Sequence, residues 1–336
     1  MADPEHRSKW KISRRELVVG TGAAAAIGGM TAWMADRLQA PAEVFIGKAA
    51  TYSVDIAQVV RRGFAELAIT RRQIAGKSIL LKPNLVEPAT EAPHINTHPL
   101  FIQGVAQAFL SHGAREVIIA EGPGHCRDTY LVLDESGIAD MLRESKLSFV
   151  DLNHDDIDVV ANVFQQTKMK DLHLPRTLRR ADWIVSLPKM KTHHWTGATL
   201  SMKNFFGVMP GICYGWPKNV LHREGIDQSI VDIVATVKPH LAIVDGIIGM
   251  EGDGPIMGDP KAMGTIVIGR NLPAVDATCC RLMKLDPANI HYLQMASGRL
   301  GPTNESRIVQ RGETIASMAQ MFQLVDDPHM QRFRSA

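Results

Sequence analysis

From about Glu43 onward, short apolar runs alternate with stretches of helical period. "VFIGK" (Val44–Lys48) has the length and content of a strand. Ile56, Val59, Val60, Phe64 and Leu67 recur at helical spacing, and Ser53 is placed to cap them, which predicts a helix to about Leu67. "SILLKPNLV" (Ser78–Val86) reads as a strand stopped near Pro83. Pro99 suits a helix start and Gly113 a helix end. "EVIIAEG" (Glu116–Gly122) is again strand-like, and "LSFVDL", "DWIVSLP", "LAIVDGI" and "TIVIGR" continue the series.

Continuous apolar strands separated by helical patterns predict an α/β protein: a mostly parallel, doubly wound sheet with helices on both faces. No internal repeat and no long Pro/Gly/Ser linker divides residues 43–325, so they are expected to form a single domain, with 326–336 as a C-terminal tail. The Gly/Pro-rich stretch at about 207–225 is expected to be an inserted loop or lid.

Composition adds limits. The 336 residues are 45% hydrophobic and 21% charged, ordinary globular values. The formal charge of +2 belongs to residues 1–42, which hold six Lys/Arg against four Asp/Glu. The remaining body is neutral and offers no general attraction for nucleic acid. Residues 1–42 combine a basic region ending in Arg14-Arg15, an uncharged Gly/Ala-rich run from Leu17 to Met34, and the cleavage pattern Ala40-Pro41-Ala42. This predicts a twin-arginine-type signal peptide, hence engagement of that export machinery and a periplasmic location. An uncleaved leader would instead leave a membrane anchor.

Candidate chemistry collects where the apolar runs end, and open α/β sheets bind ligands outside the carboxyl ends of their strands. "SILL" leads to Lys82 and Asn84, and "EVIIA" to Glu121 and then Gly122-Pro123-Gly124-His125. "WIVSLP" leads to Lys189, Lys191, Thr192 and His193, and "LAIV" to Asp245, Glu251 and Asp253. Lys189, Lys191 and His193 are spaced by two and would share one face of an extended segment. "TGATLSMKNFFG" then reads as a loop entering a helix. Thr199 or Ser201 would cap it, its free N–H groups would favour an anion, and Lys203 and Asn204 would lie one turn inside. Asp245, Glu251 and Asp253 supply hard oxygen ligands for a divalent metal, or a general base. His222, in the lid-like stretch, is a further acid–base candidate. Asp276 is as well suited to capping a helix as to a site.

Several classes lack their signals. There is no H-E-x-x-H, no G-x-S-x-G elbow, no P-loop and no G-x-G-x-x-G fingerprint. The four cysteines, Cys126, Cys213, Cys279 and Cys280, contain no C-x-x-C, so no self-contained iron–sulfur cluster or zinc ribbon is expected.

The blocks "LLKPNLV", "THP" before a helix, "SLPKMKTHHWTGATLSMKNFFG", "LAIVDGIIGMEGDGP" and "IVIGRNLPAVDAT" resemble the family called domain of unknown function 362, over about residues 44–300. Many members carry an added ferredoxin-type module, and this chain departs there. The resemblance implies that Lys82, Asn84, Lys189, Lys191, Thr192, His193, Lys203, Asn204, Asp245, Glu251 and Asp253 belong to one shared site. The expected function is an exported enzyme acting on a small phosphate- or carboxylate-bearing substrate, with or without a divalent metal. His193, His222, Asp245 and Glu251 would be its catalytic groups. The alternative is a ligand- or cofactor-binding accessory that serves a redox or envelope partner.

Overall fold

The computed structural model describes residues 41–334. The predicted leader therefore lies outside the described residues, apart from Pro41 and Ala42. No helix among the described residues is long and apolar enough to cross a membrane.

One large sheet organises the chain. Its strands are β1 (Ala42–Lys48), β2 (Ser78–Pro83), β3 (Glu116–Glu121), β4 (Ser148–Asp151), β7 (Trp183–Leu187), β8 (Lys189–His193), β9 (Gly197–Thr199), β10 (Leu241–Glu251), β11 (Asp259–Gly269) and β12 (Ile308–Gly312). The main order is β12-β1-β11-β10-β7-β2-β3-β4, with β8 beside β10 and β9 beside β8. The block β10-β7-β2-β3-β4 is parallel throughout, and β12 runs parallel to β1. Antiparallel pairing enters where β11 lies between β10 and β1, and between β8 and β9. Strands β5 (Ile157–Ala161) and β6 (Asp171–Pro175) form a separate antiparallel ribbon.

Alternation along the strands builds a core on each face of the sheet. Ile79, Leu81, Val185, Ile243, Ile266 and Ile268 face the helices α1 (Ile56–Glu66), α2 (Pro99–Ser111) and α3 (Ile138–Ser145). Leu80, Ile184, Ala242, Val244 and Val267 face α4 (Ile226–Val237) and α5 (Leu272–Leu282) on the other side. Both faces being covered, strand β2 is buried at every position, and this is why Ile79, Leu80 and Leu81 follow one another without polar alternation. The doubly wound α/β architecture expected from the pattern is the one observed.

Local differences have identifiable causes. Helix α1 is capped by Asp55, whose carboxylate accepts from Gln58 N at 2.8 Å, and not by Ser53. Helix α2 begins at Pro99 as expected, with the His98 ring as its cap (Leu100 N to Nδ1, 3.2 Å). The helix expected after "TGATL" is instead the short strand β9 followed by a 3-10 helix, Lys203–Val208. Stretch 207–225 holds two short helices, Gly211–Tyr214 and Asn219–Glu224, anchored by buried Tyr214 and Leu221. Residues beyond 325 pack onto the body. Met330 and Phe333 are buried, and Phe333 O accepts from Asp286 N at 2.9 Å.

Candidate functional site

The carboxyl ends of β2 and β3, the β8–β9 segment, the stretch from Lys203 to His222 and the loop carrying Asp253 to Met257 surround a cavity of about 560 Å³. Its floor is a buried ion pair. Lys82 Nζ lies 2.5 Å from Glu121 Oε2, and both side chains are 1% exposed. The Lys82 ammonium also donates to Asn204 Oδ1 and to Pro83 O, each at 2.9 Å. Asn204 returns its amide to Lys82 O and Ser186 Oγ, both at 3.0 Å, so it is fully used in holding Lys82. Glu121 is held in turn by Gly122 N at 2.9 Å. Burial pulls Lys82 down and pushes Glu121 up, and their mutual attraction opposes both shifts. Gly207 lies directly above this pair. A Cβ there would collide with Glu121 Oε1 and come within 2.6 Å of Lys82 Nζ, so no larger residue fits while the floor is intact.

Above the floor stand three lysines without carboxylate partners. Lys191 is fully buried and donates only to Ile95 O (2.8 Å) and Pro255 O (3.1 Å), so its charged form has one hydrogen without a partner. Burial, reinforced by Lys189, Lys203 and Lys82, holds its pKa far below the usual lysine range. Burial brings Lys203 down to about 8 against the pull of Asp227; its ammonium makes no direct ion pair and lies over the face of Phe206, 4.6 Å from the ring centroid. Lys218, in the left-handed backbone region at φ +67°, donates to Asn153 Oδ1 at 2.7 Å and to Met209 O. Burial brings it down to about 7 against the pull of Glu121.

Two imidazoles on the cavity wall are held in opposite tautomers. His193 Nδ1 accepts from Trp195 N (3.1 Å) and Thr196 N (3.4 Å), so its hydrogen resides on Nε2. His222 Nδ1 lies 3.0 Å from the carbonyl of Lys218, one helical turn back. That nitrogen must carry the hydrogen, and Nε2 keeps a free lone pair. Burial lowers the pKa of both, helped at each by the charge of Lys203. One ring is therefore a neutral donor and the other a neutral base. Sequence reasoning grouped them as equivalent proton carriers, because the tautomer depends on backbone partners.

Not every predicted residue reaches the cavity. Lys82, Asn84, Lys191, His193, Lys203, Asn204, His222 and Asp253 line it. Lys189 does not, although it is two residues from Lys191. Across β8 the partner in β10 jumps from Asp245 to Met250 while β8 advances by two, and this irregularity breaks the expected row of like-facing side chains. Lys189 instead pairs with Asp245 at 2.7 Å, both completely buried, and donates to Tyr52 Oη at 2.8 Å. Asp245 also accepts from Tyr52 Oη and from His98 N, so it has no capacity left for a metal or a proton-transfer role. Glu251 is taken by Lys261 (3.1 Å) and Gln323 N (2.9 Å). Asp253 faces His194 at 3.2 Å, and Thr192 Oγ1 donates to Gly252 O. The three carboxylates expected as metal ligands thus have separate partners, Lys189, Lys261 and His194, and do not converge. Among the described residues no three His, Cys, Asp or Glu side chains are arranged to hold a metal ion.

The start of the Lys203–Val208 helix also departs from expectation. Ser201 N (2.8 Å), Ser201 Oγ (2.5 Å) and Met202 N (3.0 Å) all donate to Asp276 of α5. The anion bound there is the protein's own carboxylate. Asp276 neither caps α5, a role taken by Asn271, nor lines the cavity. Cys279 and Cys280 are buried in the core beside it.

A family model described as Domain of unknown function (DUF362) matches residues 79–281. Thylakoid-associated protein sll1697 of Synechocystis sp. is 28% identical over 230 residues, which cover 67% of this chain and 68% of that protein. Among solved structures, the lactate racemase apoprotein from Thermoanaerobacterium thermosaccharolyticum aligns with 62% of this chain at a TM-score of 0.39 and 14% identity. A Thermotoga maritima protein aligns with 66% at a TM-score of 0.36 and 14% identity. The aligned region spans 51% and 58% of those two chains, and likeness at this level says nothing about chemistry. The family match covers more than half of the sequence and contains the strand ends that build the cavity floor: the chain belongs to the family described as domain of unknown function 362.

Proposed function

We propose that this protein is an exported enzyme that binds a small phosphate- or carboxylate-bearing substrate in the cavity and moves a proton on it. The observation that carries this reading is the pairing of surplus cation with opposed tautomers. Lys191 and Lys203 make no direct ion pair, feeling only the more distant charges of Glu87 and Asp227, while His193 offers Nε2–H and His222 an Nε2 lone pair on the same walls. A buried ammonium without a counter-ion is costly, and an anionic ligand would supply that charge. With the anion fixed by the lysines, His222 is the group suited to take a proton, and His193 the group suited to donate a hydrogen bond to oxygen where charge develops. The Lys82–Glu121–Asn204 floor is a positioning device. Export by the twin-arginine route belongs to the same reading and rests on Arg14, Arg15 and the apolar run that follows.

Hydrogen–deuterium exchange into small molecules tests the chemistry without a known product. The full chain is incubated in heavy water with a panel of small carboxylates and phosphate esters, and carbon-bound deuterium is read by NMR. Exchange into at least one anion is expected, lost by about 100-fold or more in His222→Ala and reduced less in His193→Gln. If anions raise the melting temperature but no compound exchanges or turns over, the protein is a ligand-holding accessory and the enzymatic reading is wrong.

A further inference from the structure

Charge accounts for one end of the cavity and leaves the other without an occupant. Lys82, Glu121, Lys191 and His193 are sealed, none more than 3% exposed. Lys203 is half-buried and keeps an open side. Much of the remaining open wall is apolar. Trp195 is 56% and Met257 78% exposed, and both line the cavity. Half-buried Val86 and Ile256 continue that wall, packed on Ala89, Ile95 and Met250.

This exposure does not come from loose chain. Trp195 N donates to His193 Nδ1 at 3.1 Å, and Trp195 O lies 3.2 Å from His329 Nε2. Loop 253–257 is fastened to β8 and its turn by His194 N to Gly254 O (3.0 Å) and Lys191 Nζ to Pro255 O (3.1 Å). The backbone is thus fixed around both residues, while the indole and the thioether stay uncovered. A run of contacts joins this wall to the charge. The Lys203 ammonium lies 4.6 Å from the Phe206 centroid, Phe206 lies 5.9 Å from the His222 ring, and His222 lies 5.7 Å from Trp195. A cavity of about 560 Å³ has the size of sites that enclose a ligand with a substantial apolar body, with a few polar groups to orient it.

We propose that the substrate is an anion bearing an aryl-sized apolar group, its charged end directed to Lys203 and its apolar end resting against Trp195 and Met257. This deepens the anion reading above and depends on it. An indole face and a thioether both make favourable contacts with rings. Covering them also takes from water the apolar surface that the folded chain leaves open. A bare phosphate or short carboxylate would satisfy Lys203 and leave that surface wet.

Matched probes test this on the full chain. Calorimetric titrations compare phenyl phosphate with methyl phosphate, and phenylacetate with acetate, with benzyl alcohol as the uncharged probe. The aryl member of at least one pair is expected to bind about tenfold or more tightly than its partner, and benzyl alcohol at least about tenfold more weakly than that aryl anion. Trp195→Ala and Met257→Ser should each cut the aryl advantage below about threefold. Both side chains are open to solvent, so these variants are expected to fold. Phosphate and carboxylate arms separate the two sources of charge. Equal affinity within both pairs would overturn the apolar assignment and leave the anion reading standing. An aryl advantage undiminished in both variants would overturn the assignment to this wall. Benzyl alcohol binding as tightly as the aryl anions would overturn the anion reading and the substrate class that rests on it, and so would binding of none of the five probes.

Discussion

Two lysines two positions apart show how environment divides one residue type into different roles. Lys189 meets Asp245 and Tyr52 and is a closed structural group, whereas Lys191 meets only carbonyl oxygens and stays short of negative charge. Lys218 is a third case, buried among neutral acceptors and lowered to about 7. An NMR titration of lysine Cε signals, with Lys218 assigned by its loss in Lys218→Arg, is expected to show a midpoint near 7. A midpoint within a unit of the ordinary lysine value would show that water reaches this amine and that it is no special group of the cavity. Most of the cavity's lysines and imidazoles were legible because they follow apolar runs without turn residues. Lys218 was not singled out, because no spacing rule marks a lysine that becomes buried through a left-handed turn. Glu121 was visible at a strand end but not singled out, because its role is set by Lys82, 39 residues away.

At the scale of elements, β10 carries a misleading signal. Its Asp245 and Glu251 stand among glycines as exposed ligand-binding acids often do, yet each is cancelled by a lysine from another strand. A contact that joins residues 56 positions apart leaves no local pattern, so the sequence could place Asp245 at a strand end without revealing its partner. The predicted consequence separates structural acids from exposed ones. Asp245→Ala should cost about 3–5 kcal/mol in urea unfolding, because it strands the Lys189 ammonium in the interior. Asp253→Ala, which removes a half-exposed partner of His194, should stay within about 0.5 kcal/mol of wild type. A loss at Asp245 no greater than at Asp253 would refute the closed-pair description. The strands themselves were readable because burial on both faces makes them continuously apolar. The 3-10 helix after β9 was not, since its start is organised by Asp276 from far along the chain.

For the molecule as a whole, Asp276 fastens the β9 region to α5 and ties stability to pH. Burial pushes its carboxyl up to about 7 from an ordinary 3.8, although Ser201, Met202 and Tyr292 all donate to it. A raised acid pKa means that the native state binds the proton more tightly than the unfolded chain does. Stability from this group is therefore full below about pH 4 and declines as pH rises toward 7, by at most about 4 kcal/mol. Urea midpoints measured at pH 5 and pH 7.5 should fall over that interval more steeply in wild type than in Asp276→Asn. Parallel slopes would remove Asp276 as the cause. The floor of the cavity has a further implication at this scale. Lys82, Glu121 and Asn204 come from segments 39 and 122 positions apart, and none of them forms the floor alone. Pairings of such long range carry a loop-closure entropy cost that local contacts do not. An intact Lys82–Glu121–Asn204 contact therefore certifies that three distant segments have assembled, and a truncated fragment ending before Asn204 cannot form it.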